Sequence, residues 1–231
     1  MLIRNSIGKQ YEVLPQEHRL SFSLVRWVGE IVRQLIVFPV IRLLAPYRVY
    51  GSEHLVGTGP YIFAVNHCSH VDTPLLLAAL PLSLRLRVRV AAAQDYFFTS
   101  WWKGLLVQLI FNGFAFARER PASLFSLLYA SQLLQQGQSI LIFPEGTRSH
   151  DQQLHTFKRG VGELALENVV PVVPVWLENT AAVFPKGAHF PRRHSVAVHF
   201  GVSRTFLLTS NASEVTSEIE RAVRRLALRP L

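Results

Sequence analysis

Asn66-His67-Cys68-Ser69-His70-Val71-Asp72 places a histidine and an aspartate five residues apart. That spacing fits neither one face of a helix nor one face of a strand. It fits a tight turn leading into a helix, with the two side chains bending back toward each other. A carboxylate on one imidazole nitrogen fixes the tautomer and raises the basicity of the other. Such a pair is a general base able to take the proton of an alcohol. Read alone, the same letters also describe a half-buried loop histidine and a helix-capping aspartate, so the neighbouring motifs have to decide.

Two other chemistries compete for this stretch. Cys68 is the single cysteine, which excludes an internal disulfide framework and any multi-cysteine metal site. A thiolate nucleophile paired with His67 is disfavoured, because adjacent side chains tend to point apart. His67, His70 and Asp72 also spell an HxxHxD cluster. A catalytic zinc wants three protein ligands with outer partners that orient them, and the remaining histidines form no second motif. No metal is expected.

Phe143-Pro144-Glu145-Gly146-Thr147-Arg148-Ser149 is the second dense stretch. Pro144 and Gly146 flank a carboxylate in a tight turn, and Arg148 follows three residues after Glu145. An exposed arginine near free backbone N–H groups suits a phosphate. An ordinary turn with an internal Glu–Arg pair suits the same residues equally. Arg118, which closes the apolar run from Gly113, is another candidate phosphate clamp.

These residues need elements to hold them. From Pro46 the chain alternates short β-rich runs with longer helical patterns. Tyr47–Val49, Tyr61–Val65, Gly113–Arg118, Ser139–Phe143, Val169–Trp176 and Ser195–Phe200 read as strands. Leu84–Val90 alternates strictly, which predicts a strand with Arg85, Arg87 and Arg89 on a wet face. Pro74–Leu80, Phe97–Leu109, Ala122–Gln136 and Val161–Leu166 read as helices, with Gly137 as a terminator. Ser213 is expected to cap a last amphipathic helix burying Val215, Ile219, Val223 and Leu226. The alternation predicts an α/β fold, a single layered domain with a mixed sheet flanked by helices. Positions 67, 118 and 145 fall just after strands, where ligand crevices form in open α/β sheets.

Composition adds a surface to this domain. The 231 residues are 49% hydrophobic and only 17% charged, with a formal net charge of +9. Mean hydropathy is +0.23 and the pI is near 10.3. A basic, apolar-rich chain points to nucleic acid or to an anionic membrane surface. The basic residues are scattered, without a helix-turn-helix, zinc-ligand or RNP-type pattern, so nucleic acid is not expected. Residues 22–45 are the most hydrophobic long stretch, yet Arg26, Glu30, Arg33, Gln34 and Arg42 interrupt it and Pro39 breaks it. This predicts two short helices meeting near Pro39 and lying in a membrane interface; a helix pair covering the domain's own core is the other reading. Trp27 and Trp101-Trp102-Lys103 favour the interface. Residues 1–20 carry charges throughout, so no signal peptide is expected, and the Asn211-Ala212-Ser213 sequon is taken as accidental. The division is then 1–45 as membrane-binding helices and 46–231 as the catalytic domain. Attachment is expected to be peripheral or monotopic, on the cytoplasmic face.

In combination these blocks resemble the glycerolipid acyltransferases of the 1-acylglycerol-3-phosphate O-acyltransferase type. The family's NHxSxxD block is matched by Asn66, His67, Ser69 and Asp72, and its FPEGTRS block at every position from Phe143 to Ser149. Asn112–Arg118 is a looser match to the glycine-started strand ending in arginine. Val170–Val175 matches the proline-bearing apolar run, and Lys158-Arg159-Gly160 resembles the basic turn after the third block. The blocks stand in family order across residues 48–200, and the sheet implied is largely parallel.

The resemblance implies an enzyme that moves a fatty acyl group from acyl-CoA or acyl-carrier protein to the hydroxyl of a lysophospholipid, 1-acylglycerol-3-phosphate foremost. Another lysolipid, glycerol-3-phosphate, or a non-catalytic lipid-binding role are the alternatives. His67 would be the base and Asp72 its orienting partner. Arg118, Glu145, Gly146, Thr147 and Arg148 would form the acceptor-phosphate region, with Asn66, Ser69 and Lys158 in support. Glu145 cannot itself attract phosphate, so it is expected to position Arg118, Arg148 or an acceptor hydroxyl. No cofactor is implied beyond the thioester co-substrate, and the partners implied are membrane lipids and that donor.

Overall fold

The computed structural model describes residues 19–149, 151, 153–207 and 209–228. Residues 1–18, which carry most of the signal-peptide reading, lie outside the described residues. The helices are α1 (Arg19–Val32), α2 (Phe38–Leu44), α3 (Asp72–Ala79), α4 (Leu82–Arg85), α5 (Gln94–Phe97), α6 (Trp101–Phe111), α7 (Ala122–Gln135), α8 (Gly160–Asn168), α9 (Thr180–Val183) and α10 (Ala212–Ala227). The strands are β1 (Tyr47–Tyr50), β2 (Ile62–Val65), β3 (Val88–Ala93), β4 (Gly113–Phe116), β5 (Ser139–Ile142), β6 (Val172–Glu178) and β7 (Val196–Phe200). They form one sheet in the order β1-β7-β6-β2-β5-β3-β4. All neighbours are parallel except β6 with β7. The largely parallel, helix-flanked sheet therefore agrees with the sequence.

Alternation along the strands divides the core in two. Phe63, Val65, Leu141, Val173 and Val175 face a cluster that includes Leu75, Leu76 and Leu77 of α3. Ile62, Ala64, Ile140 and Ile142 face Leu127 of α7, Leu164 of α8 and Val223 of α10. Both faces of the central strands are covered, which is why they read as continuous apolar runs. Pro174 is tolerated inside β6 for a local reason. Its carbonyl accepts from Gly201 N at 2.8 Å, and its missing N–H falls in the gap between the last β6–β7 register pair, Val175–Phe200, and the Val172–Arg204 bridge.

The Leu84–Val90 expectation is corrected. Pro81 precedes a short helix, α4, and only Val88 onward is strand. Arg85 and Arg89 are buried rather than wet. The reason for Arg85 lies far away in sequence. Its guanidinium donates to Glu30 Oε1 through Nε at 3.0 Å and Nη2 at 2.7 Å, and to the carbonyls of Leu77 and Leu80. Glu30 Oε2 accepts from Arg33, and Oε1 also from Gln34. Burial alone would raise the Glu30 carboxyl, but Arg85, Gln34 and Arg33 outweigh it and hold the group below its ordinary range.

This cluster fixes the N-terminal helices to the domain. A π-helical turn, Arg33–Val37, joins α1 to α2 without a break in the helical backbone, directly ahead of Pro39 in the first turn of α2. Arg33 reaches across to the Leu109 and Ile110 carbonyls at the end of α6. Gly29 permits the crossing, since a Cβ there would lie 2.2 Å from Leu109 O. One face of this segment covers the core, as the second reading expected, and the opposite face is apolar and exposed. Phe38, Ile41 and Ala45 join the core, whereas Trp27, Ile31, Leu35, Ile36, Val40 and Leu43 are exposed. Among the described residues no helix is long and apolar enough to cross a membrane.

The last helix is also as expected except at its start: Asn211, not Ser213, is the cap, its side chain accepting from Ser213 N at 2.8 Å.

The Glu30 cluster generates the first prediction. Glu30→Ala leaves Arg33 and Arg85 buried without a counter-charge, and unfolding free energy by denaturant titration should fall by about 3–5 kcal/mol. A loss near zero would mean that the cluster does not anchor α1.

Candidate active site

The catalytic candidates stand at the carboxyl end of β2. Asn66 ends the strand by using its side chain as a strand partner. Its amide donates to Leu177 O at 3.0 Å and accepts from Leu177 N at 2.7 Å, tying the turn to β6. The next residues turn sharply, and Asp72 opens α3 with no exposed surface. Asp72 Oδ2 accepts from His67 Nδ1 at 2.8 Å and from the backbone N–H groups of Cys68 and Ser69, each at 2.8 Å. Aspartate is favoured here twice over, by these N–H groups and by the helix N-terminus. With Nδ1–H donated to Asp72, Nε2 is the nitrogen left to act on a substrate. The His67 ring stacks on Phe143, centroids 3.9 Å apart, and lines the main cavity. Ser69 Oγ donates to Phe184 O at 2.8 Å, so its role is to hold the turn.

Cys68 points the other way. Its Sγ lies 3.2 Å from Thr180 Oγ1, and burial, then the Asp72 charge, pushes the thiol up to about 12. His70 turns to Arg148 rather than to Asp72. The Arg148 guanidinium contacts His70 Nε2, which must accept and is therefore neutral in this arrangement. Burial first, then Arg148 and His67, lowers the His70 pKa.

The third block lies beside this turn, at the end of β5. Glu145 departs from expectation. It is buried, and it bonds neither Arg118 nor Arg148. Its Oε1 accepts from His67 N at 2.7 Å and its Oε2 from His155 N at 3.0 Å. It fixes the backbone that carries the histidine, because the tight turn aims the carboxylate inward at two unpaired N–H groups. Desolvation pushes the Glu145 carboxyl up to about 7, against the two N–H groups that favour the anion. Ser149 N adds a second tie to the same residue, donating to His67 O at 2.8 Å.

The cations converge on the cavity as proposed from the sequence. Arg118 donates to Gly146 O at 2.8 Å and pairs with Asp95. Lys158 Nζ donates to Arg118 O at 3.3 Å, and its stem passes close to Gly146, where a Cβ would lie 2.7 Å from Lys158 Cε. Gly146 also has φ +73, a conformation that favours glycine. Arg118, Gly146, Thr147, Arg148 and Lys158 all line a cavity of about 540 Å³ with His67 and Ser69. Its other wall is apolar, with Val90, Ala91, Ala92, Val107, Phe111 and Phe116 among the lining residues. A second cavity shares Tyr96, Phe97, Val107 and Phe111 and continues along α6.

Sequence reasoning missed Asp95 as partner of Arg118, His70 as partner of Arg148 and Phe143 as the platform under His67. Asp95 and Phe143 follow strand ends, which was the available signal. Nothing local marks His70.

Comparison with known proteins places this geometry in context. A protein-family model described as Acyltransferase matches residues 46–178, more than half of the chain. A 1-acyl-sn-glycerol-3-phosphate acyltransferase of Limnanthes douglasii is 31% identical over 159 residues, 67% of this chain and 53% of that protein. The alpha form from Mus musculus is 29% identical over 167 residues, 68% of this chain and 56% of its own length. The chain thus spans about half the length of these curated relatives. The crystal structure of the 1-acyl-sn-glycerophosphate acyltransferase PlsC from Thermotoga maritima superposes with a TM-score of 0.64 at 24% identity, covering 91% of this chain and 81% of that one. That likeness concerns the fold. On the family match, the chain belongs to the acyltransferase family.

Proposed function

We propose that the protein transfers a fatty acyl group from an acyl thioester, acyl-CoA or acyl-carrier protein, to the free hydroxyl of a lysophospholipid, with 1-acylglycerol-3-phosphate as the leading acceptor. The observation that carries this reading is the His67–Asp72 pair in a single cavity that is lined by cations and by an apolar wall. The names of the relatives support the acceptor.

His67 Nε2 takes the hydroxyl proton as the acceptor oxygen attacks the thioester carbonyl carbon. The tetrahedral intermediate collapses, the C–S bond breaks, and the leaving thiolate receives the proton from Nε2. An ester and a free thiol result, with no covalent enzyme intermediate. Asp72 holds the tautomer and stabilises the transient imidazolium. Glu145 and Ser149 hold the backbone at His67, so the base is already aimed. Arg118, Arg148 and Lys158 receive the acceptor phosphate, and the apolar wall toward α6 receives an acyl chain.

Both substrates carry apolar tails, which gives the exposed faces of α1, α2 and α6 a purpose. Trp101, Trp102, Leu105 and Leu106 on α6 join Leu35, Ile36, Val40 and Leu43 as exposed apolar residues. Faces of this kind lie in the headgroup region of a bilayer. The protein is read as a peripheral or monotopic membrane enzyme on the cytoplasmic face.

Glu145 also makes stability depend on pH. Its folded pKa, about 7, lies above the ordinary value of 4.5. Below pH 4.5 both states hold the proton and the full stability is present. Between 4.5 and 7 the unfolded chain releases it while the folded chain retains it, so stability falls as pH rises. The fall totals about 3 kcal/mol and levels off above 7.

Two outcomes are expected. His67→Ala should lower thiol release from acyl-CoA or acyl-carrier protein, with lysophosphatidate as acceptor, by about 10²–10⁴. Undiminished turnover would remove His67 as the base of the reaction. Urea titrations from pH 4.5 to 7.5 should show the wild type losing stability relative to Glu145→Gln, groups common to both cancelling in the difference. Parallel curves would remove the assigned proton from Glu145.

A further inference from the structure

We propose that the loop Pro185–His194 is a second membrane-contact element, one that recognises anionic phospholipid head groups and ties the catalytic turn to the bilayer surface. The proposal rests on the membrane reading given above for α1 and α2.

The loop is fastened at both ends. It begins at Phe184, whose carbonyl accepts from Ser69 Oγ at 2.8 Å and from His70 N at 3.0 Å, and Pro185 forms an antiparallel bridge with Ser69. On the return, Arg192 N donates to Val183 O at 2.7 Å. Arg193 Nε then donates to Leu43 O at 3.1 Å, and His194 N to Leu44 O at 3.0 Å. One end therefore holds the turn that carries His67 and Asp72, and the other holds the end of α2. Leu43 itself is 66% exposed on the apolar outer face.

Between those ties the composition is one-sided. Lys186, Arg192 and Arg193 are basic, and no Asp or Glu stands between Glu178 and Glu214. Among the described residues these three cations form no ion pair. Phe190 is 82% exposed. An exposed aromatic flanked by unpaired cations, continuous with an apolar helix face, is the chemistry of the anionic bilayer interface. An acidic protein would satisfy the cations but would leave Phe190 and Leu43 without a matching phase. Lys186 also lines the main cavity, so the loop runs from the head-group layer to the entrance through which an anionic acceptor would pass.

The test is flotation of the full chain with phosphatidylcholine vesicles, with and without phosphatidylglycerol. The wild type should bind both and prefer the anionic vesicles. Arg192→Ala with Arg193→Ala should lower partitioning to anionic vesicles about 30-fold, ~5-fold for each arginine, and leave neutral vesicles nearly unchanged. Phe190→Ser should weaken binding to both. Turnover on detergent-dispersed acceptor should stay at the wild-type level, which also reports folding. Unchanged anionic binding in the arginine pair overturns the loop proposal. Loss of turnover confined to an acyl-carrier-protein donor, with vesicle binding intact, also overturns it and assigns the loop to an acidic protein. A wild type that binds anionic vesicles only, unaffected by Leu35→Ser with Ile36→Ser, would support the loop while removing the helix reading.

Discussion

One carboxylate oxygen organises the turn that carries the candidate base. Asp72 Oδ2 accepts from the His67 ring and from the N–H groups of Cys68 and Ser69 at once. The same oxygen that orients the imidazole also closes the turn. The rest of the site is arranged to keep that turn still. Asn66 ties it to β6, Ser69 to Phe184, and Glu145 and Ser149 hold the backbone of His67 from the third block. A free histidine turn of this length would lose much of its preorganisation to chain entropy.

Two buried glutamates show how partners decide whether burial sets the state of a charge. Glu30 is surrounded by guanidinium and amide donors, and its carboxyl is held low. Glu145 meets two backbone N–H groups but no cation in hydrogen-bond contact, and desolvation carries it up to about 7. The first anchors an exposed helix to the domain, and the second anchors the catalytic backbone.

Apolar and cationic surfaces occur together around the site. Outward faces of α1, α2 and α6 are apolar, the cavity beside α6 is apolar on one wall, and its opposite rim carries Arg118, Arg148 and Lys158. Each rim cation already has a partner, Asp95 or Gly146 O for Arg118, His70 for Arg148 and Arg118 O for Lys158. In the proposed reaction these contacts would hold the cations in place for the acceptor phosphate. Such preorganisation reduces the ordering cost of binding.

The strand–helix alternation, the HxxxxD turn after β2 and the FPEGTRS turn after β5 were legible in the chain, because each depends on residues close in sequence. Hydrophobic period, turn residues and a strand end are local facts, and they also located His67, Asp72 and the cationic rim. Tertiary structure alone decided the rest. Arg85 read as a wet strand position because its counter-ion, Glu30, lies 55 residues away. Glu145 read as a partner for arginine because the N–H groups that donate to it, those of His67 and His155, come beside it only once three segments meet. The link between Phe184, the catalytic turn and the end of α2 has no local signal at all. Local spacing determines which side chains can do chemistry, while contacts distant in sequence determine how each charge is neutralised and held.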